Sequence, residues 1–596
     1  MQTLDLALVG NGAVAALIDS RATVNWLCLP TVDGDPVFCS LLRGSAKAEE
    51  DGGFHVEMLN TVRTEQKYLA GTPILETQFF DADGGSVRIT DFAPRFEAED
   101  GISAPPVLVR RIERVSGSSS VRVRVRPMAG YGKTLMKPQP VQLPTSSEET
   151  TGTIRFSAGE LTLRLTTNAP IDSIVSESPF LIDEPLTFLL VADTEITTSF
   201  AADYLHPTIA WWTRWVGTLT KPAHFQEETL RAAITLKLNV IEATGATIAA
   251  VTTSVPESPD SGRNWDYRYC WLRDSYFTVA ALERLGDTAT TGRYVDFLLQ
   301  VLATAPDGRL KPMYSITAGP IPDEIEADAL PGYRDMGPVR IGNLAYLQVQ
   351  HDVYGEVILA ARPLFLADRI DPRAETRLFG ALEKVGEQAV AFYDQPDAGL
   401  WELRGKERVH TFSSVMCWAA CDVLADIAVE MGLPEREAQW RKSADQIRET
   451  INRRSWNAEL NAFTAAMEGD SLDAALLLMH KLGFIEADDP RFAATVRAIG
   501  RDLRRGELIY RYVEKDDFGE PENAFLVCTL WYVEALAAIG DTAEARRVFE
   551  IVLSHRNRHG LLAEHVDPRT GEQWGNFVQT YSMAGIIDAA MLLSGS

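Results

Sequence analysis

Positive charge is scarce in this chain. Lysine and arginine total 57 against 83 aspartates and glutamates among 596 residues, a net charge of −26. Such a balance repels phosphate backbones and anionic headgroups, which excludes nucleic acid and membrane as principal partners. Cysteine is rarer still, with six residues (Cys28, Cys39, Cys270, Cys417, Cys421, Cys528) and no C-x-x-C pair. That excludes a disulfide framework. Cys417 and Cys421 lie one helical turn apart on an apolar stretch and read as buried free thiols. The amino terminus has no basic leader and carries Asp5 and Asp19 within a short apolar stretch, unlike a secretory signal. No apolar run reads as long enough to span a bilayer. A cytoplasmic protein with reduced thiols is the expectation.

Several motifs are also missing. The chain has no G-x-S-x-G elbow and no G-x-x-x-x-G-K-[ST] loop, so acyl transfer and P-loop chemistry lose their usual support. GNGAVA (10–15) has the glycine spacing of a dinucleotide fold, but only ALIDS separates it from the strand-like RATVNWLCLP. A hairpin turn is the better reading. His555 and His559 are four apart and His565 follows, yet the H-E-x-x-H glutamate is absent and Gly560 ends the helix. No metal and no cofactor are expected.

What is present is a globular chain, 46% hydrophobic and 23% charged, too long for a single ordinary core. Its first third reads as β-structure. VRVRVR (121–126) alternates strictly, its arginines predicting the wet face of an antiparallel sheet. TIRFSA (153–158), LTLRLTT (161–167) and LTFLLVAD (186–193) follow with turn residues between them, and many short strands in series predict a sandwich. From about residue 225 the texture turns helical, in 225–243, 275–286, 350–362, 413–432, 473–483, 523–540 and 542–556. About a dozen helices fit without a strand-rich gap. No fixed repeat is visible, which favours a closed helical array over a solenoid. The expected division is a β-sandwich over 1–205, a connection over 206–225 and an all-α domain over 226–596.

The densest chemistry lies in RNWDYRYCWLRDSYF (263–277). Trp265, Tyr267, Tyr269 and Trp271 fall at every second position, with Arg263, Asp266, Arg268, Arg273 and Asp274 between and after them. Sugars present hydroxyls to charged planar groups and weakly polar C–H faces to aromatic rings. Glycoside hydrolysis then needs two carboxyls, one protonated to release the leaving oxygen and one ionised to activate water. GLWELRG (399–405) sets Glu402 beside Trp401, an apolar neighbour of the kind that favours a protonated carboxyl. GLLAEHVDPRTGEQWGNF (560–577) sets Glu564 in what reads as a polar, solvated loop. Glu407 and Glu522 are the nearest rivals.

On these blocks, with ALVGNGAVAALIDSRATVNWLCLP, PVRIGN (338–343) and AEHVDP…GNFVQTYS, nearly the whole chain resembles family 15 of the glycoside hydrolases. That family contains glucoamylases, glucodextranases and bacterial trehalases. The resemblance implies a β-sandwich joined to an (α/α)6 barrel, with the active site at the barrel mouth. It implies Glu402 as general acid and Glu564 as general base, with Arg273 and Asp274 gripping the terminal glucose. Tyr267 is expected against the sugar ring and Trp401 in the pocket wall. Leu403 departs from fungal members, which carry a second acidic residue there, and His565 stands where glutamine or glutamate is common. The implied activity is exo-acting, inverting hydrolysis of an α-glucoside. Trehalose is favoured, because the chain ends about fifteen residues after QTYS with no room for a starch-binding module. Hydrolysis of malto- or isomalto-oligosaccharide ends is the alternative, and a silent glucan-binding protein the second.

Overall fold

The computed structural model describes residues 2–45, 51–99, 101–141, 151–193, 200, 202–366 and 371–595. Its first part is two antiparallel sheets packed face to face. One runs in the order Ala7–Gly10, Ala15–Ile18, Val24–Leu29, Phe54–Met58, Ser120–Val125 and Phe180–Leu181, with Asp35–Phe38 paired to Val24–Leu29. The other runs Pro138–Val141, Gly152–Ala158, Leu161–Thr167, Leu186–Ala192, Val107–Ser116, Ser86–Phe92, Leu75–Asp81 and Thr61–Tyr68. The expected alternation holds in 120–125. Val121 and Val123 point into the core, while Arg122 and Arg124 pair with Glu57 on the neighbouring strand. GNGAVA is a hairpin turn, with Ala7 to Gly10 registered against Ile18 to Ala15.

The second part is an (α/α)6 barrel. Its inner ring runs through Leu272–Arg284, Val353–Phe365, Thr411–Glu430, Ala474–Leu478, Leu526–Ala538 and Thr580–Leu593. The outer ring is Gln226–Asn239, Thr288–Thr304, Pro372–Phe392, Pro434–Arg454, Pro490–Asp502 and Thr542–Ser554. The inner helices Thr411–Glu430, Leu526–Ala538 and Thr580–Leu593 are largely apolar and buried nearly all round, since protein covers every side. Outer members bury one stripe, such as Leu378, Leu382, Val385 and Ala389. Two outer helices begin alike. Asp371 accepts from the Arg373 and Ala374 amides, and Asp489 from the Arg491 amide, each with proline at the next position.

The structure corrects two expectations about the helices. Residues 473–483 do not form a full helix, and the fourth inner position holds only the 3₁₀ segment Ala474–Leu478. Its run of five apolar residues is buried on all sides and carries no period to distinguish the two forms. The connection is itself helical over Leu205–Thr218, lying on an outer apolar face built from Phe92, Val109 and Leu189. Thr411–Glu430 is long and apolar enough to cross a membrane, contrary to the sequence reading, but its apolar window is 83% buried as an inner barrel helix.

The two parts share a continuous apolar cluster that joins Leu4, Leu8 and Trp26 to the barrel. Polar contacts fasten the seam. Trp26 Nε1 donates to Val251 O at 2.7 Å, and Asn557 Nδ2 donates to Leu4 O and Leu6 O at 3.0 and 2.9 Å.

Candidate active site

The opening motif of the barrel is extended, and its alternation divides the side chains between two faces. Arg263, Trp265, Tyr267 and Trp271 line one cavity. Asp266 and Arg268 point the other way as a fully buried bidentate pair, with bonds of 2.9 and 2.7 Å. Arg268 also donates to Gly34 O in the sandwich at 2.6 Å. One strip therefore builds a cavity wall and ties that wall to the first domain. Tyr269 does not join the wall; it packs with Ala249, Met313 and Ile321.

The cavity, about 800 Å³ counted out to its open mouth, brings together all six residues named from the sequence: Tyr267, Arg273, Asp274, Trp401, Glu402 and Glu564. Glu402 and Glu564 are 162 positions apart along the chain and line the same space. Glu402 sits on a turn whose base is closed by the Asp397–Arg408 bridge. Its φ is +60°, a left-handed conformation that costs a non-glycine residue roughly 1–3 kcal/mol, and such strain clusters at functional sites. The turn is held where Glu402 N donates to Gly399 O at 3.1 Å and Gln348 Nε2 donates to Glu402 O at 3.1 Å. Trp271 Nε1 donates to Glu402 Oε1 at 2.6 Å, and an Arg273 nitrogen lies 3.3 Å from the same oxygen.

Glu564 enters the same cavity just before the short strand His565–Val566. Tyr267 OH donates to its Oε1 at 2.7 Å, and His565 Nδ1 stands 3.3 Å from Oε2. Gly575, at φ +78°, makes room for it, since a Cβ there would lie 2.8 Å from both Glu564 Cβ and Oε2. The loop around Glu564 is not solvated as the sequence suggested. The residue is 1% exposed, because the three-stranded piece 524–525, 565–566 and 573–574 encloses it. Glu402, beside its tryptophan, is the more open side chain at 20%. The Tyr267 and Trp271 rings touch edge to face at 5.4 Å between centroids. One aromatic pair thus carries both carboxyls, one on each ring's polar atom.

Electrostatics grade the floor. Burial pushes Asp274 up to about 7; Arg273 opposes the shift, while Glu402 and Glu564 add to it. Burial also works against the Arg273 cation, but Tyr581, Asp274, Glu402 and Asp352 outweigh it and hold the guanidinium firmly charged. Trp401 Nε1 donates to Asp473 Oδ2 at 2.7 Å, which fixes the ring beside Glu402.

Sequence reasoning missed several lining groups, among them Glu257, Arg511, Asp516 and Phe518. Arg511 donates to Glu257 at 2.9 Å and Trp265 Nε1 does so at 3.2 Å. Burial raises the Glu257 carboxyl, but Arg511, His565 and Arg263 overcome this and hold it below the usual carboxylate range. Arg511 lies in YRY (510–512), an arginine between aromatics like those of the opening motif, and that signal was available. Glu257 lies in a serine- and proline-rich stretch with no such signal. The rivals Glu407 and Glu522 are exposed and line no part of this cavity.

Two carboxyls facing one aromatic-walled cavity, with a buried cation and carboxyls beneath, at the mouth of an (α/α)6 barrel, define a glycoside hydrolase. The glycosyl hydrolases family 15 pattern matches residues 224–591, and the chain belongs to that family. A trehalase-like amino-terminal pattern matches residues 3–157. The chain is 30% identical to a trehalase of Thermoplasma volcanium over 98% of its own length and 92% of the relative's. It is 32% identical to a trehalase of Mycolicibacterium smegmatis over 98% and 90%. Among solved structures it resembles a bacterial glucoamylase complexed with acarbose, at TM-score 0.69 and 13% identity, covering 100% of this chain and 94% of that one. At that identity the likeness concerns the fold.

Proposed function

We propose that the protein hydrolyses α,α-trehalose to two glucose molecules with inversion at the attacked carbon. The carrying observation is the pairing of Glu402 and Glu564 on the touching rings of Trp271 and Tyr267 within one cavity. Glu402, on the more open turn, protonates the bridging oxygen, while Glu564 takes a proton from the attacking water on the opposite face of the sugar. Arg273 and Asp274 grip the hydroxyls of the glucose at the cavity floor, with Tyr267 against its ring and Trp401 beside the acid. Tyr267 OH holds Glu564 ready, and Trp271 does the same for Glu402. Trehalose, rather than another α-glucoside, is supported by relatives named trehalases that align along nearly the whole chain.

We further divide the chain into a sandwich over 1–205, a connection over 206–225 and a catalytic barrel over 226–596. The end of the last sheet strand at Ala192, the helix Leu205–Thr218 and the barrel's beginning at Gln226 support this division. A cytoplasmic location is supported by six cysteines that are all free and buried.

The test is glucose release from trehalose, maltose, isomaltose and soluble starch. Preference for trehalose is expected. Preference for maltose or isomaltose would replace the substrate with an oligosaccharide end, and no release from any of the four would leave a glucan-binding protein.

A further inference from the structure

Two loops meet over the cavity mouth, and the residues that fasten them are outside the machinery described above. The first, 402–407, carries Glu402. The second, 514–519, has a fixed root. Arg263 binds Asp516 through both guanidinium nitrogens at 2.7 and 2.5 Å and donates to Gly519 O at 3.0 Å, while Tyr512 OH donates to Asp516 at 2.5 Å. From this root the exposed Asp517 reaches across, and its Oδ2 accepts from the Arg404 amide at 2.9 Å and the Gly405 amide at 2.8 Å. Arg404 is anchored in turn to Glu324 at 2.9 Å and lies 4.2 Å over the Trp265 ring. Phe518 meets the same ring edge to face at 5.3 Å. Segments distant in sequence, around residues 265, 404 and 517, therefore meet at the cavity lining.

We propose that Asp517 is a specificity-determining residue whose carboxylate clasps the 514–519 loop to the acid's loop, restricting the site to α-glucosides with one sugar beyond the cleaved bond. This rests on the reading of Glu402 as the acid. The cavity takes a second sugar ring beneath the cluster that Phe518, Arg404 and Arg340 pack around Trp265. A third must pass the Asp517 fastening to Arg404 and Gly405. Because the clasp is exposed and made to backbone amides, releasing it opens the mouth and leaves the barrel core untouched.

The experiment compares the wild-type chain with Asp517→Ala and Gly405→Ala. The second variant keeps Asp517 but drives it off, since a Cβ on Gly405 would lie 2.5 Å from Asp517 Oδ1. Values of kcat/KM are measured on trehalose, maltose, maltotriose and maltoheptaose. The wild type is expected to disfavour both longer chains, and the maltotriose-to-maltose ratio to rise about tenfold in both variants, the scale of a pocket's steric discrimination. An unchanged ratio in both variants, including a uniform loss on every substrate, would overturn the proposal. So would a wild type that takes maltoheptaose as readily as maltose. Cleavage of maltose without trehalose would instead defeat the trehalose assignment, and the ratio would still decide the clasp.

Discussion

Replacing Tyr267 by phenylalanine removes one hydroxyl and leaves the ring that faces the sugar. In the wild type that hydroxyl donates at 2.7 Å to Glu564, a residue 1% exposed. Water has little access to replace the lost bond, and among the described residues His565 Nδ1, 3.3 Å from the other oxygen, is the polar side-chain contact that remains. A hydrogen bond to a charged group contributes about 1.5–3 kcal/mol. At about 1.36 kcal/mol per decade, its loss in the transition state lowers kcat roughly 10- to 150-fold. KM should change little, because the Tyr267–Trp271 ring contact and the Arg273–Asp274 floor are retained. Steady-state kinetics on trehalose separate the two parameters. A kcat equal to wild type, or a loss confined to KM, would show that the hydroxyl does not hold the base.

Glu402→Gln and Glu564→Gln should each lower kcat by about 10²–10⁴-fold with the fold intact by circular dichroism, since each removes half of the proton-transfer pair; near-normal turnover in either would mean that the wrong carboxyl has been named. Gly575→Ala should depress turnover by pushing Glu564 aside, and the left-handed backbone alone costs about 1–2 kcal/mol, readable as a lower melting temperature; full activity would show that the close approach is not needed. Asp397 accepts from the His351 amide and Ser413, and burial, with Asp352 adding, pushes it from 3.8 to about 8. Its neutral form therefore contributes stability that is fully present below about pH 4 and is lost as pH rises towards 8. Asp397→Asn should flatten that part of the melting-temperature profile, and parallel profiles for the two proteins would contradict the assignment.

The sequence carried the site further than it carried the site's surroundings. The 263–274 strip was legible because rings and charges alternate in an extended segment, and that period survives folding as two faces. Glu402 and Glu564 were legible only as a pair, through the chemistry that requires two carboxyls and through the family's blocks. Their environments were not, since exposure depends on partners far along the chain. Glu564 is enclosed by strands at 524–525 and 573–574, and Glu402 lies on an open turn. Glu257 shows the limit most plainly. Its cation, Arg511, is 254 residues away, and nothing in the serine- and proline-rich stretch around it indicates a buried ion pair. In the barrel, the apolar spacing identified two outer helices, Gln226–Asn239 and Thr542–Ser554, and four inner ones, Leu272–Arg284, Val353–Phe365, Thr411–Glu430 and Leu526–Ala538. It failed at 474–478, where an all-apolar run has no polar face to reveal its pitch.

The central claim is that Glu402 and Glu564 act on opposite faces of the sugar, and the configuration of the first products reads it out. Trehalose joins two glucoses through both anomeric carbons, so attack by a Glu564-activated water releases one unit as β-glucose and leaves the other as α-glucose. Proton NMR recorded before mutarotation should show equal initial amounts of the two anomers. Only α-glucose at early times would require retention through a covalent intermediate, and would contradict the account.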